Sequence, residues 1–112
     1  MSKEPIQFLR HIADECTYLL AVGADLEKEA FLADETLKRA VIRSLEIIGE
    51  ATKKIPADVK VKWNSIEWKS MAGMRDRLIH DYIGVNYNIV WDVLKHKIPM
   101  LDAQIQQVLA SE

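Results

Sequence analysis

The residues with the most chemical capacity fall together in one stretch, Trp68-Lys-Ser-Met-Ala-Gly-Met-Arg-Asp-Arg-Leu-Ile-His-Asp-Tyr82. It holds Arg75, Asp76, Arg77, His80 and Tyr82. On a helix, at about 100° per residue, Asp76 and His80 are i, i+4 neighbours. A carboxylate so placed can orient the imidazole and favour its protonated form. The plainer alternative is a routine ion pair on a helix surface. Arg75 and Tyr82 stack on one side of the same helix, two turns apart. Arg75 and His80 point about 140° apart, so a single regular helix does not bring them together. Two copies of the helix, packed face to face, could. An arginine that neutralises a phosphate, with a histidine that moves a proton, is suited to phosphodiester chemistry.

The faces of this helix bear on that arrangement. Met71, Met74, Leu78 and Tyr82 share one side and form the expected core face. The opposite side would normally carry Lys and Glu, but here it holds Ala72, Gly73 and Ile79. Small residues let another backbone approach closely, so a second covered face is expected at or beside Ala72 and Gly73, against a partner copy. Arg75 and His80 lie away from the core face.

Helical periodicity runs through nearly the whole chain. Phe8, Leu9, Ile12, Cys16, Leu19, Leu20 and Gly23 recur at three- and four-residue steps, predicting a helix over roughly residues 4–28. Leu37, Val41, Ile42, Leu45, Ile48 and Ala51 repeat the pattern, with Asp34 as N-cap and an end near Lys54 forced by Pro56. Residues 55–66 read as a connection. The third helix spans Trp68 to Tyr82, and Gly84 can close it. Asn86 can cap a fourth, which Pro99 should kink. Strand-type alternation is absent. The expected fold is all-α: one domain over residues 1–112, an antiparallel up-down four-helix bundle with its fourth helix kinked near Pro99.

Composition narrows the classes. Hydrophobic residues make up 49% and charged residues 29% of 112 residues, which excludes a disordered chain. Cys16 is the only cysteine, so a disulfide within the chain is excluded, and a cytoplasmic setting is expected. The sequence carries no glycine-rich phosphate loop, no HExxH and no GxSxG. His11, His80 and His96 share no metal-ligand spacing, and His11 and His96 read as surface residues. Net charge is −2, but residues 1–50 carry six Lys/Arg against ten Asp/Glu, and residues 51–100 carry nine against five. A phosphate-bearing ligand would prefer the latter region. Trp63, Trp68 and Trp91 read as packing anchors, with stacking on RNA bases the alternative.

With these residues in view, Arg75-x4-His80-x-Tyr82 resembles the RX4HXY motif of the HepT-like toxins, a branch of the HEPN superfamily of helical-bundle ribonucleases. The flanks are similar too: Phe31 to Asp34, Ala40 to Ala51, Ile66 to Trp68, Ala72 to Arg75 and Gly84 to Trp91. The resemblance covers most of the chain. It implies a metal-independent endoribonuclease without a cofactor, working as a homodimer with the motif at the dimer cleft. It also implies a toxin whose antitoxin is a minimal nucleotidyltransferase, in a complex that can be of higher order. The antitoxin would silence the toxin by transferring AMP to Tyr82. Arg75 and His80 would be catalytic. Lys69 and Arg77 could guide the RNA backbone, and for Arg77 a solvated helix-flank charge is an equal alternative.

The position after the motif arginine is often Asn in that superfamily and is Asp76 here. A carboxylate close to an RNA phosphate is electrostatically adverse, so the supporting part expected of Asp76 is to orient His80. The competing reading is a non-catalytic helical dimer that binds a nucleotide or docks the nucleotidyltransferase through the same cleft. A plain structural dimer is the third.

Overall fold

Asp34 starts the second long helix in the way its side chain permits. Its carboxylate accepts the Leu37 backbone N–H at 2.9 Å, while its own backbone stays extended. This satisfies one of the orphan donors of the first turn. The helix runs Glu35–Lys53 and ends at Lys54, ahead of Pro56, as expected. Asn86 caps the fourth helix by the same means, accepting from Asn88 N at 3.0 Å.

The computed structural model describes residues 3–80 and 84–111, apart from the side chains at positions 3, 4, 79 and 80. Its elements in chain order are α1 (Lys3–Gly23), α2 (Lys28–Ala33), α3 (Glu35–Lys53), α4 (Ala57–Lys62), α5 (Trp68–His80), α6 (Tyr87–Asp92) and α7 (Ile98–Ser111). A π-helical segment, Val93–Lys97, joins α6 to α7. The architecture is an all-α bundle, with α1, α3, α5 and the α6–α7 pair as its four long members. α3 lies between α1 and α5, and α7 packs back against α1. Facing pairs give the directions. Lys54 lies over the Phe8 ring and Ser44 bonds Glu15, so α1 and α3 run antiparallel. None of the described helices is long and apolar enough to cross a membrane.

Two elements depart from the expected pattern. The first helix stops at Gly23 rather than continuing to residue 28. The Gly23 carbonyl accepts from Lys95 Nζ at 2.6 Å and from the Leu26 backbone N–H at 3.3 Å. A cation at a helix C-terminus is favourable, and Lys95 satisfies the last carbonyl of α1 here. The chain then restarts as α2, whose Phe31 is fully buried and meets Trp91 at 5.5 Å between ring centroids. Residues 55–66 are not a plain connection either, because α4 forms within them around the buried Val59.

The disturbance near Pro99 takes a specific form. Pro99 has no N–H and its ring opposes the carbonyl of residue 95 in a regular α-helix. The turn before it widens, so that the Ile98 N–H reaches the Val93 carbonyl five residues back. Gly84 does not supply a left-handed cap, since no positive-φ residue occurs among the described positions.

One core joins the bundle. Leu9, Ile12, Cys16 and Leu19 of α1, Val41, Leu45 and Ile48 of α3, and Leu101, Ile105 and Val108 of α7 are all buried in it. Trp68 is buried and its indole N–H donates to the Trp63 carbonyl at 3.0 Å; Trp63 and Trp91 pack against the core edge, as anchors do. Cys16 is free and its thiol is pushed up to about 12, mainly by burial and then by Asp102 and Glu15. It is therefore a packing residue with little thiolate at neutral pH.

At Gly49, α3 and α5 approach closely. A Cβ added there would lie 2.1 Å from Arg75 Cβ and 2.9 Å from the Met71 carbonyl oxygen. Glycine weakens a helix interior by up to ~1 kcal/mol relative to alanine, so it needs a packing reason, and this contact is one. Gly49→Ala is expected to destabilise the fold by about 1–3 kcal/mol despite alanine's better helix propensity, because two backbones must separate. Chemical denaturation of the two proteins measures it.

Candidate functional site

The C-terminal half of α5 carries the site, and its position is set by α3. Leu78 is buried, and Met71 and Met74 pack half-buried at the core edge, as the predicted core face requires. The packed side extends further than the sequence pattern indicates. Arg75 is not simply away from the core. Its side chain is 28% exposed, and its Cγ lies 3.0 Å from where a Gly49 Cβ would be. The methylene stem is thus pinned against α3 while the guanidinium reaches out past it.

At the rim, three charges meet. Lys53 Nζ of α3 donates to Asp76 Oδ1, and Arg75 Nη1 donates to the same oxygen at 3.3 Å. The Arg75 Nε is buried and has no hydrogen-bond partner. The cluster holds two cations and one carboxylate, so it is positive by one charge. The electrostatic objection to a carboxylate beside an RNA phosphate is met here by Lys53, which sequence reasoning missed. The contact spans 23 positions and comes from the tertiary crossing, and the mid-helix Gly49 was its only visible sign.

Asp76 is held below the usual carboxylate range, first by the Lys53 hydrogen bond, with desolvation opposing, and then by Arg75. A lowered folded-state value means that the pairing contributes fully above the unfolded pKa of about 3.9. It is lost as pH falls through the lowered folded value. The triad is therefore assembled at neutral pH.

His80 is the last residue of α5, one turn after Asp76, and its side chain lies outside the described residues. So does Tyr82 as a whole. The orientation of His80 by Asp76 is thus left as an expectation from spacing. Arg77 is exposed and lines a cavity of about 200 Å³ with Met74, Leu78, Val85 and Ile89. Lys69 is exposed near the start of α5. Gly73 is exposed too, and a Cβ there would meet nothing within 4 Å. A larger cavity of about 410 Å³ lies on the apolar side of α5, lined by Leu45, Ile48, Met71, Met74 and Leu101. Neither cavity includes the Arg75 and Asp76 side chains among its lining.

The other histidines stand apart from this cluster. His11 is exposed beside the Phe8 ring, and His96 is exposed with Nε2 3.8 Å from Asp92 Oδ1. Among the described residues, no three His, Cys, Asp or Glu side chains group as metal ligands.

The fold is thus an all-α bundle in which one helix, α5, carries Arg75 beside a positive rim and ends at His80. The chain belongs to the HepT-like ribonuclease family: the family description "Ribonuclease HepT-like" matches residues 7–108. It is 44% identical to "Putative RNase TTE0752" of Caldanaerobacter subterraneus subsp. tengcongensis, over 98% of both chains. It is 41% identical to "Putative RNase MJ0125" of Methanocaldococcus jannaschii, over 97% of this chain and 95% of that one. It is 39% identical to "Probable ribonuclease HepT" of Thermococcus cleftensis, over 96% and 98%. No solved structure matches the chain significantly.

The Lys53 contact makes a direct prediction. The Asp76 carboxyl should titrate below 3.9 in the folded protein. In Lys53→Met its midpoint should move upward, because the largest stabiliser of the charged form is gone. Side-chain carboxyl NMR across an acid titration reads both values.

Proposed function

We propose that this chain is an endoribonuclease toxin whose active site is completed by a second copy of itself. Family membership supports the ribonuclease activity. The observation that carries the site assignment is the pinned Arg75, its stem packed on Gly49 and its guanidinium at a net-positive rim.

In this reading the RNA phosphate sits against Arg75, and the adjacent 2′-hydroxyl attacks phosphorus. A bond from O2′ to phosphorus forms as the bond from phosphorus to O5′ breaks. His80 takes the 2′-hydroxyl proton as general base, or protonates the 5′-oxygen as it leaves. Arg75 stabilises the charge on the pentavalent phosphorane. The products are a 2′,3′-cyclic phosphate and a 5′-hydroxyl end. The reaction uses protein groups alone, without a metal ion. Because positions 75 and 80 lie about 140° apart round a regular helix, the Arg75 of one protomer works with the His80 of its partner. The exposed Gly73 and half-buried Ala72 leave room for that approach. Arg77 and Lys69 guide the RNA backbone at the flanks.

Two variants test this. Arg75→Ala and His80→Ala should each abolish RNA cleavage and growth arrest, with helical content retained. Mixed in one preparation, the two inactive proteins should regain activity, since half the composite sites in a mixed dimer have both groups. Cleavage should persist in EDTA. RNA left intact by the wild type would favour the docking or nucleotide-binding dimer instead. Cleavage that stops with chelator and returns with magnesium would contradict the chemistry.

Silencing belongs to Tyr82. A minimal nucleotidyltransferase partner would transfer AMP from ATP to the Tyr82 hydroxyl, releasing pyrophosphate. The added phosphate repels the RNA backbone, and the nucleoside fills the cleft. Tyr82→Phe is expected to escape this control and to keep most of its activity. Intact mass after coexpression with the partner is the check, and AMP units that persist in Tyr82→Phe would place the modification elsewhere.

A further inference from the structure

Asp76 and Arg75 are sequence neighbours at the rim, and a carboxylate is the natural two-pronged partner of a guanidinium. Left to themselves, the two would close into such a pair, and the arginine would have fewer donors to offer a phosphate. That is not the arrangement observed. Arg75 gives Asp76 a single contact, a long one at 3.3 Å, from Nη1 alone. The same carboxylate oxygen is taken by Lys53 from the facing helix. Arg75 meanwhile cannot swing freely to follow Asp76, because its stem is wedged over Gly49. Its Nε is buried and makes no hydrogen bond, so Asp76 does not take that donor either.

We propose that Lys53 is a positioning residue for Arg75: by holding the Asp76 carboxylate towards α3, it keeps the guanidinium free and aimed to receive the RNA phosphate. The proposal rests on the cleavage reading above and adds a residue of α3 to it. It also gives the acidic residue after the motif arginine a requirement. A carboxylate at 76 needs a cation at 53, whereas a neutral amide at 76 would not.

That requirement sets the test, which uses the intact homodimer and a short single-stranded RNA under single-turnover conditions. Lys53→Met should slow cleavage about 10-fold, the scale of a modest misplacement of a catalytic group. Lys53→Arg should restore the rate to within about 3-fold, since its charge can hold the same oxygen. Adding Asp76→Asn to Lys53→Met should recover most of the lost rate, because the competing carboxylate has been neutralised. A lysine that only steadied the fold would not be rescued in this way, and one that acted on RNA by charge alone would be rescued without moving the Arg75 signal. Thermal unfolding of each variant separates misfolding from repositioning.

A second readout is independent of RNA. The Arg75 Nε–H signal, assigned with Arg75→Lys, should shift in Lys53→Met as the guanidinium pairs with Asp76. It should return in the double variant. An Arg75 signal indifferent to Lys53, or a double variant as slow as Lys53→Met, overturns the proposal. A wild type that cleaves no RNA, with an Arg75 signal that still follows Lys53, overturns the cleavage reading and supports the clamp.

Discussion

The crossing of α3 and α5 at Gly49 is the constraint on which the end of the molecule that carries the candidate site depends. Where helices meet through side chains, their axes usually stand 8–10 Å apart. Here a side chain is removed altogether on one partner, and the Arg75 Cβ occupies its place. This closeness does two things at once. It fixes the stem of a long, entropically costly side chain that would otherwise sample many rotamers. It also brings the C-terminal turn of α3 level with Asp76, so that a lysine there can reach across. A wider crossing would keep the bundle's core but loosen the charges at its edge.

The electrostatics at that edge follow from the sharing of one carboxylate. Exposed ion pairs contribute little to stability, a few tenths to about 1 kcal/mol. Their weight lies in placement. Asp76 is pinned between charges from two helices, and the surplus positive charge remains with the arginine. The same economy appears at the other end of the molecule, where Lys95 both lies over the Trp91 ring and caps the Gly23 carbonyl. In each case a single side chain from one helix settles the end of another.

How much of this could be read from the sequence depended on the range of the interaction. The Asp34 and Asn86 caps and the Pro56 stop act over three or four residues, so they were legible. The core face of α5 was legible from periodicity, because Met71, Met74 and Leu78 follow the helical repeat. Lys53 was not, since nothing in residues 50–54 signals that the chain will bring it to Asp76. The end of α1 was also hidden. Its apolar pattern continues past Gly23, and the lysine that takes its last carbonyl lies 72 positions away. The six residues of α4 carry no side-chain cap, and their surroundings are rich in turn formers, so they looked like a loop. Arg75 was found by its type and spacing, whereas its burial depended on a glycine in a different helix.

The wide turn at Val93–Lys97 stands in the middle of the last helical stretch. One surplus residue in a turn advances everything beyond it by about 100°. Val90 and Leu94 face inward before the turn, and Leu101, Ile105 and Val108 beyond it. Removing a single residue from that turn would leave the chain fully helical by composition yet dial the whole of α7 round its axis, turning its buried stripe towards water. The bundle is thus keyed, like a lock with an offset pin, by one residue of phase.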